Sequence, residues 1–413
     1  MKVREESPVR IREINITGND KTRDKVIRRE IRVYERELIN TKALRKSYQR
    51  LNNLNFFEQI EITPAPVGQD QVDLDVRVKE KSTGSLSVGA GYSSVDLLTL
   101  QVQASEGNLF GRGQLLRLSA ELGQRRTTYS VTFREPYLLD RPVSGSVTVF
   151  DQVRSFFTYR EKRRGSEVGL GRAFSDEVSG GLTYAWETTE ITDLSPGIPF
   201  QVTQAGGQRT LSLVGVSLAR DTRDFWFDPH EGSRLFTAYD YAGFFLGGTQ
   251  AFYRVRGDAS RFYPLWGDTV FSVHGRTGFA EGLAGQPLPL GERFFVGGIN
   301  SVRGFPFGTA GPLSRPSDQA PDILGGNKEV VLNAEYLFDL VREAKLKMVM
   351  FYDAGAAYND DQELTMARFR YGAGLGIRWV TPVGPLRLEW GSNLFPRSGE
   401  SPSALEFTIG TLF

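Results

Sequence analysis

The chain has 413 residues, of which 24% are charged, and a formal net charge of +1, a balance that argues against a nucleic-acid partner. Cysteine is absent, which excludes thiol catalysis, disulfides and cysteine-ligated metal sites, and only His230 and His274 could offer imidazole. No run approaches the roughly 18 apolar residues of a membrane helix, while 45 Gly, 15 Tyr and 28 Phe point to an all-β chain rich in turns and aromatics.

Met1-Lys2 is followed at once by charged residues, without an apolar signal region. Val9 to Thr17 alternates in a strand pattern and ends at the turn Gly18-Asn19-Asp20. Thr22 to Arg32 is predicted helical, with Thr22 as its cap and Val26, Ile27 and Ile31 on the apolar face. Thr41 caps a second predicted helix to about Leu54, with Leu44, Tyr48, Leu51 and Leu54 three and four apart. Glu58 to Pro64 and Gln71 to Lys79 alternate as strands, the latter with Val72, Leu74, Val76 and Val78 on one face. Residues 1–81 are thus read as a small α/β module in the order strand, helix, helix, strand, strand. Its abrupt start at the first strand implies further sequence upstream.

From residue 82 to 413 the pattern becomes repeated short segments of two-residue alternation. Leu98, Leu100, Val102 and Ala104 oppose Thr99, Gln101 and Gln103, and Tyr371, Ala373, Leu375, Ile377 and Trp379 oppose Gly372, Gly374, Gly376 and Arg378. Leu386, Leu388 and Trp390 oppose Arg387 and Glu389. A soluble sandwich would bury the apolar face against a second sheet. A membrane barrel turns it to lipid and the polar face to a wet lumen. Roughly sixteen segments of about ten residues, an even number with lengths that suit tilted membrane strands, favour the barrel. So do aromatics at segment ends, such as Phe225-Trp226-Phe227 and Trp266, and tight turns alternating with long connections. The fold class is mainly β: a sixteen-stranded antiparallel barrel behind one small α/β domain.

The longest connection, about residues 281–328, reads as neither strand nor helix. At its centre Phe294 to Phe307 (FFVGGINSVRGFPF) carries seven apolar side chains that need something to pack on, and Arg303 among them. Alternation turns Asn333 and Glu335 inward on one following strand, and Phe351 and Asp353 inward on the next. If the connection folds back into the lumen, Arg303 can reach both acids. Two independent solvated carboxylates fit the alternation equally well. No G-x-S-x-G, metal-ligand cluster or phosphate loop occurs, so neither an enzyme nor a cofactor is expected.

These residues resemble those of the BamA-type outer-membrane assembly factors, which place periplasmic POTRA domains before a sixteen-stranded barrel. Residues 1–81 look like one POTRA domain, with Ile14 to Asn19 at its first turn, and the resemblance implies that it is the last of several. Val302-Arg303-Gly304-Phe305 is similar to the family signature on the long sixth extracellular loop, and Phe351 to Gly355 (FYDAG) to the partner motif on the thirteenth strand. Asn333 to Tyr336 is like the acidic strand before it. Gly107 to Gly113 and Arg220 to Gly232 also look like family connections. By this resemblance Arg303 pairs with Asp353 and Glu335.

The implied activity is insertion and folding of outer-membrane β-barrels through the POTRA module and a lateral seam between first and last strands. A two-partner-type polypeptide secretion pore and an autotransporter translocation and assembly factor are the alternatives. Implied partners are unfolded outer-membrane protein clients, the lipid bilayer, periplasmic chaperones and accessory outer-membrane lipoproteins, with no nucleic acid. The implied location is the bacterial outer membrane, with the POTRA domain in the periplasm. Gly84, Gly89 and Gly91 on the first barrel strand, and Gly410 and Phe413 on the last, are expected to weaken the seam.

Overall fold

The computed structural model describes residues 9–413 apart from 69, 94–95, 156–158, 195–205, 227, 315–321, 382–383 and 410–413. The chain folds into two compact units, one comprising Met1–Leu86, Ala104–Leu118 and Thr132–Pro136, the other the remainder.

The N-terminal module holds β1 (Arg10–Thr17), α1 (Asp24–Arg28), α2 (Thr41–Leu54), β2 (Phe57–Pro66) and β3 (Gln71–Glu80), with the sheet ordered β1-β3-β2. β1 pairs parallel and β2 antiparallel to β3. Val72, Leu74, Val76 and Val78 turn their common face to Val26, Ile27, Ile31 and Leu51 in one buried core.

Both helices differ from the predicted ones in detail. α1 is much shorter, because its flanks find other partners. Thr22 donates its backbone N–H to Glu80 at 2.6 Å instead of capping, and Arg32 donates its own to Ser47 Oγ at 2.7 Å. The cap of α2 is Asn40, not Thr41: Asn40 Oδ1 accepts from the N–H groups of Lys42 and Ala43. Ser47 takes the buried position because its hydroxyl also donates to the Ala43 carbonyl, and Tyr48 is left exposed.

The barrel strands are β4 (Gly84–Ser93), β5 (Leu97–Leu109), β6 (Gln114–Gly123), β7 (Arg126–Glu135), β8 (Ser144–Ser155), β9 (Arg160–Ala173), β10 (Val178–Thr192), β11 (Gly207–Asp221), β12 (Gly232–Ala242), β13 (Phe252–Pro264) and β14 (Val270–Gly282). After two short strands, β15 (Leu313–Ser314) and β16 (Asp322–Ile323), come β17 (Lys328–Val341), β18 (Leu346–Tyr358), β19 (Arg370–Thr381), β20 (Gly384–Asn393) and β21 (Ser403–Ile409). Sixteen of them close on themselves, consecutive strands side by side and β21 beside β4. Closure pairs the backbone groups that hydrocarbon could not solvate.

Alternation sorts the faces. Leu375, Ile377 and Trp379 are exposed on the outside beside Trp390, Leu388 and Leu386, while Val349, Phe351 and Asp353 are buried inside. Exposed aromatics ring both ends: Phe174, Phe225, Trp226 and Trp266 at one, Phe244, Phe245 and Phe395 at the other. The long connections that follow β10, β14 and β18 all leave the second end. With so wide an apolar belt, the protein is expected to stay dispersed only in detergent or bilayer. It should also migrate faster unheated than boiled on a gel. A monodisperse monomer without detergent would contradict the membrane reading.

Candidate functional site

Residues 283–327 link β14 to β17, and their centre is tied into the barrel wall. Val302 and Phe305 are buried with Val296, Ala310, Val331 and Ala357. Between them Arg303 is only 2% exposed. Its Nε and Nη2 each donate to Asp353 on β18 at 2.7 Å, and its backbone N–H adds a third bond to the same carboxylate at 3.0 Å. Nη1 donates to Glu335 on β17 at 2.6 Å and to Glu389 on β20 at 2.9 Å. The guanidinium carbon lies 3.6 Å from the ring centre of Phe351, a cation–π contact.

The acids are shared with two wall arginines. Arg378 on β19 donates to both oxygens of Glu335, at 2.7 and 2.9 Å, and to Glu389 at 2.9 Å. Arg387 on β20 donates to Glu389 at 3.1 and 3.2 Å, and also to the Ile299 carbonyl and Asn300 of the loop. Asn333 donates its side-chain amide to Asp353 at 2.7 Å and to the Ser301 carbonyl at 2.6 Å. Three guanidinium groups thus meet three carboxylates, and Asp353 is fully buried. Enclosed charges in such numbers persist only when paired and hydrogen-bonded together.

Glycines make room for the turn. Gly304 has φ +91°, a left-handed value that a side chain would strain. A Cβ on Gly372 of β19 would lie 1.9 Å from the Arg303 carbonyl oxygen, and one on Gly391 of β20 would lie 2.4 Å from the Gly304 nitrogen. A Cβ on Gly355 would lie 2.5 Å from the Val330 carbonyl oxygen and 3.2 Å from Val302. The loop backbone therefore rests directly on bare strand backbone.

The structure brings Val302, Arg303, Gly304, Phe305, Glu335, Phe351, Asp353 and Gly355 into one site. Sequence reasoning missed the shares of Glu389, Arg378 and Arg387. Alternation turns all three inward, yet nothing in their spacing says that their strands meet the loop. Gly84, Gly89 and Gly91 lie on β4, remote in sequence from this site. Gly410 and Phe413 lie outside the described residues. Where β21 meets β4, the described register pairs Thr408 with Ser93 and Ile409 with Tyr92. Beneath the charge network lies a lumen cavity of about 960 Å3. The connection after β11 reaches it, with both oxygens of Asp228 accepting from Lys347 Nζ at 2.6 Å.

A closed sixteen-stranded membrane barrel whose long loop seats an arginine on lumen acids, preceded by a small α/β module, defines a class of outer-membrane proteins built from POTRA domains and a barrel. The chain belongs to the Omp85 superfamily, whose domain profile matches residues 108–413. A POTRA profile, described as a surface antigen variable number repeat, matches residues 9–81. Outer membrane protein assembly factor BamA of Nitratidesulfovibrio vulgaris is 29% identical over 417 residues, covering 100% of this chain and 52% of that protein. The chain thus spans about half the length of that relative. Sorting and assembly machinery component 50 homolog of Bos taurus is 26% identical, over 78% of this chain and 69% of that protein. Among solved structures, BamA from Haemophilus ducreyi lacking POTRA domains 1–3 superposes with a TM-score of 0.81 at 23% identity, covering 97% of this chain and 84% of that one. The protein is an outer-membrane β-barrel of BamA type.

Proposed function

We propose that the protein inserts and folds outer-membrane β-barrel clients, without covalent chemistry, through the seam between β21 and β4. Residues 1–81 act as a POTRA module that receives the client on the periplasmic side, and residues 82–413 as the barrel. The junction of the barrel's last and first strands, β21 and β4, which the described register fixes at Thr408–Ser93 and Ile409–Tyr92, carries this reading. Side chains on these two strands are open to the outside: Leu86, Val88 and Leu405 are 73%, 67% and 64% exposed, more than Leu375 or Ile377 on β19. An unpaired backbone group facing hydrocarbon costs several kcal/mol. A client strand that pairs with the edges exposed when the seam parts is therefore drawn to it, as a peptide is to a sheet edge. In the module, β2 is an edge strand of the sheet and offers a second such edge. The names of the relatives, assembly factor and assembly machinery component, support the same activity. Periplasmic chaperones and accessory outer-membrane lipoproteins are its proposed partners beside the client and the bilayer.

The cysteine-free chain allows a direct test. Tyr92→Cys with Ile409→Cys places a disulfide across the seam, and Ile377→Cys with Leu388→Cys places a control between β19 and β20. The oxidised seam pair is expected to stop insertion of an unfolded barrel client into vesicles, and reduction to restore it, while the control pair stays active. Insertion at the unlocked rate by the oxidised seam pair would reject seam opening and favour export through the lumen.

A further inference from the structure

The long loop touches the wall a second time, before Arg303 and with opposite charge. Glu292 ends a 3-10 turn, Leu290–Glu292, and is buried. It accepts from Arg254 Nη1 of β13 at 2.5 Å and from Arg163 Nη2 of β9 at 3.3 Å. Each arginine is also held by its own wall. Arg163 donates to Glu187 of β10 at 2.6 Å, and Arg254 to Asp240 of β12 at 3.0 Å, where Arg256 joins at 2.9 Å. Buried Glu161 of β9 stands beside the turn, where a Cβ on Gly291 would lie 3.2 Å from its carboxylate. Leu290 packs with Tyr159, Ile191 and Leu324 next to these charges.

β9 and β13 are separated by β10, β11 and β12 in the barrel order, so they share no ladder, and Glu292 bridges them. Arg303 enters acids on β17, β18 and β20, the other sector of the barrel. We propose that Glu292 is a second positioning residue of the loop. It pins the outer part of the loop to the β9–β13 wall, and the loop is held between two charge-paired anchors of opposite sign. This does not rest on the insertion reading, since the anchor can be tested without a client.

Single cysteines can report on each anchor in the folded barrel. Leu290→Cys and Ser301→Cys replace buried residues near Glu292 and near Arg303. Their rates of labelling by a bulky maleimide are the readout, and migration on an unheated gel certifies the fold. Glu292→Gln is expected to speed labelling at position 290 by about tenfold or more, because it strips the charge from an enclosed pair. Labelling at 301 should stay within about twofold, as for an independent site. Adding Arg254→Gln should change position 290 little further, because the pair is already broken. Glu292→Asp, which keeps the charge, should recover much of the protection. Unchanged labelling at 290, equal rises at both reporters, or additive effects of Glu292→Gln and Arg254→Gln would each overturn the second anchor. Should Glu292→Gln not fold, Arg254→Lys takes its place, keeping the charge without the guanidinium fork. A flat rate at 290 in that variant overturns the proposal equally.

Discussion

Replacing Arg303 with Ala is expected to release the centre of the long loop from the lumen while the barrel still folds. Stripping one partner from a buried ion pair costs about 3–5 kcal/mol, far above the 0–1 kcal/mol of an exposed pair. The loss falls unevenly here. Glu335 keeps Arg378, and Glu389 keeps both Arg378 and Arg387. Among the described residues, Asp353, fully buried, would keep the Asn333 amide and a backbone N–H. Asp353→Ala should therefore reproduce most of the effect, and Glu335→Ala less of it, since Asp353 accepts three hydrogen bonds from Arg303 and Glu335 only one. Arg303→Lys should rescue poorly, because one ammonium cannot span carboxylates on three strands. Protease cleavage within the loop and client insertion are the measurements. In a double-mutant cycle, Arg303→Ala and Asp353→Ala should couple by about 1–3 kcal/mol, and additive effects would dismiss the pairing as a source of loop stability.

An equally large effect is expected from a substitution that removes no charge. Gly372→Val would drive its Cβ to 1.9 Å from the Arg303 carbonyl oxygen, and Gly391→Val to 2.4 Å from the Gly304 nitrogen. Neither contact can be tolerated, and what must move is backbone on both sides, not the tip of a side chain. A shift of the turn by about 1 Å is enough to lengthen every hydrogen bond of Arg303 beyond the useful range. Overpacking of this kind typically costs about 1–3 kcal/mol, and here the loss of the ion pairs follows from it. Gly275→Ala is the control, since its Cβ would meet only Leu332 Cδ2 at an ordinary 3.5 Å. The glycine variants should show the loop cleavage and insertion defects of Arg303→Ala with all charges present. If they behave like Gly275→Ala, close backbone approach does not hold the loop.

The barrel was legible because membrane strands write their environment residue by residue. Alternation at Leu98 to Ala104 or Tyr371 to Trp379 records lipid on one side and lumen on the other. Helix ends were less legible. Thr22 and Thr41 are reasonable caps by residue type, but Glu80, distant in sequence, holds the backbone N–H of Thr22 itself, and Asn40 takes the N–H of Ala43 that Thr41 would have capped. Within the site, alternation was enough to turn Glu335 and Asp353 inward. It turned Arg378, Arg387 and Glu389 inward too, without saying which strand faces the loop. The usable signal was Gly372 and Gly391, inward positions without side chains on adjacent strands, where another backbone can lie. Glu292 had no such signal, because it sits in a segment without periodicity and its arginines come from strands that are not neighbours.

The bare backbone under the Arg303–Gly304 turn also sets an order of events during the protein's own assembly. The turn is laid down on Gly372 and Gly391, and its charge is received by Asp353 and Glu389, all of them later in the chain. The receptor surface does not exist until β18, β19 and β20 are side by side. A chain delivered from its N-terminus therefore carries its longest loop undocked past eleven completed barrel strands, and contacts of this sequence separation form late. Loop docking is then a natural proofreading step: it succeeds only when the C-terminal strands have taken their correct register, since a one-residue slip would turn Gly372 outward and Tyr371 or Ala373 into its place.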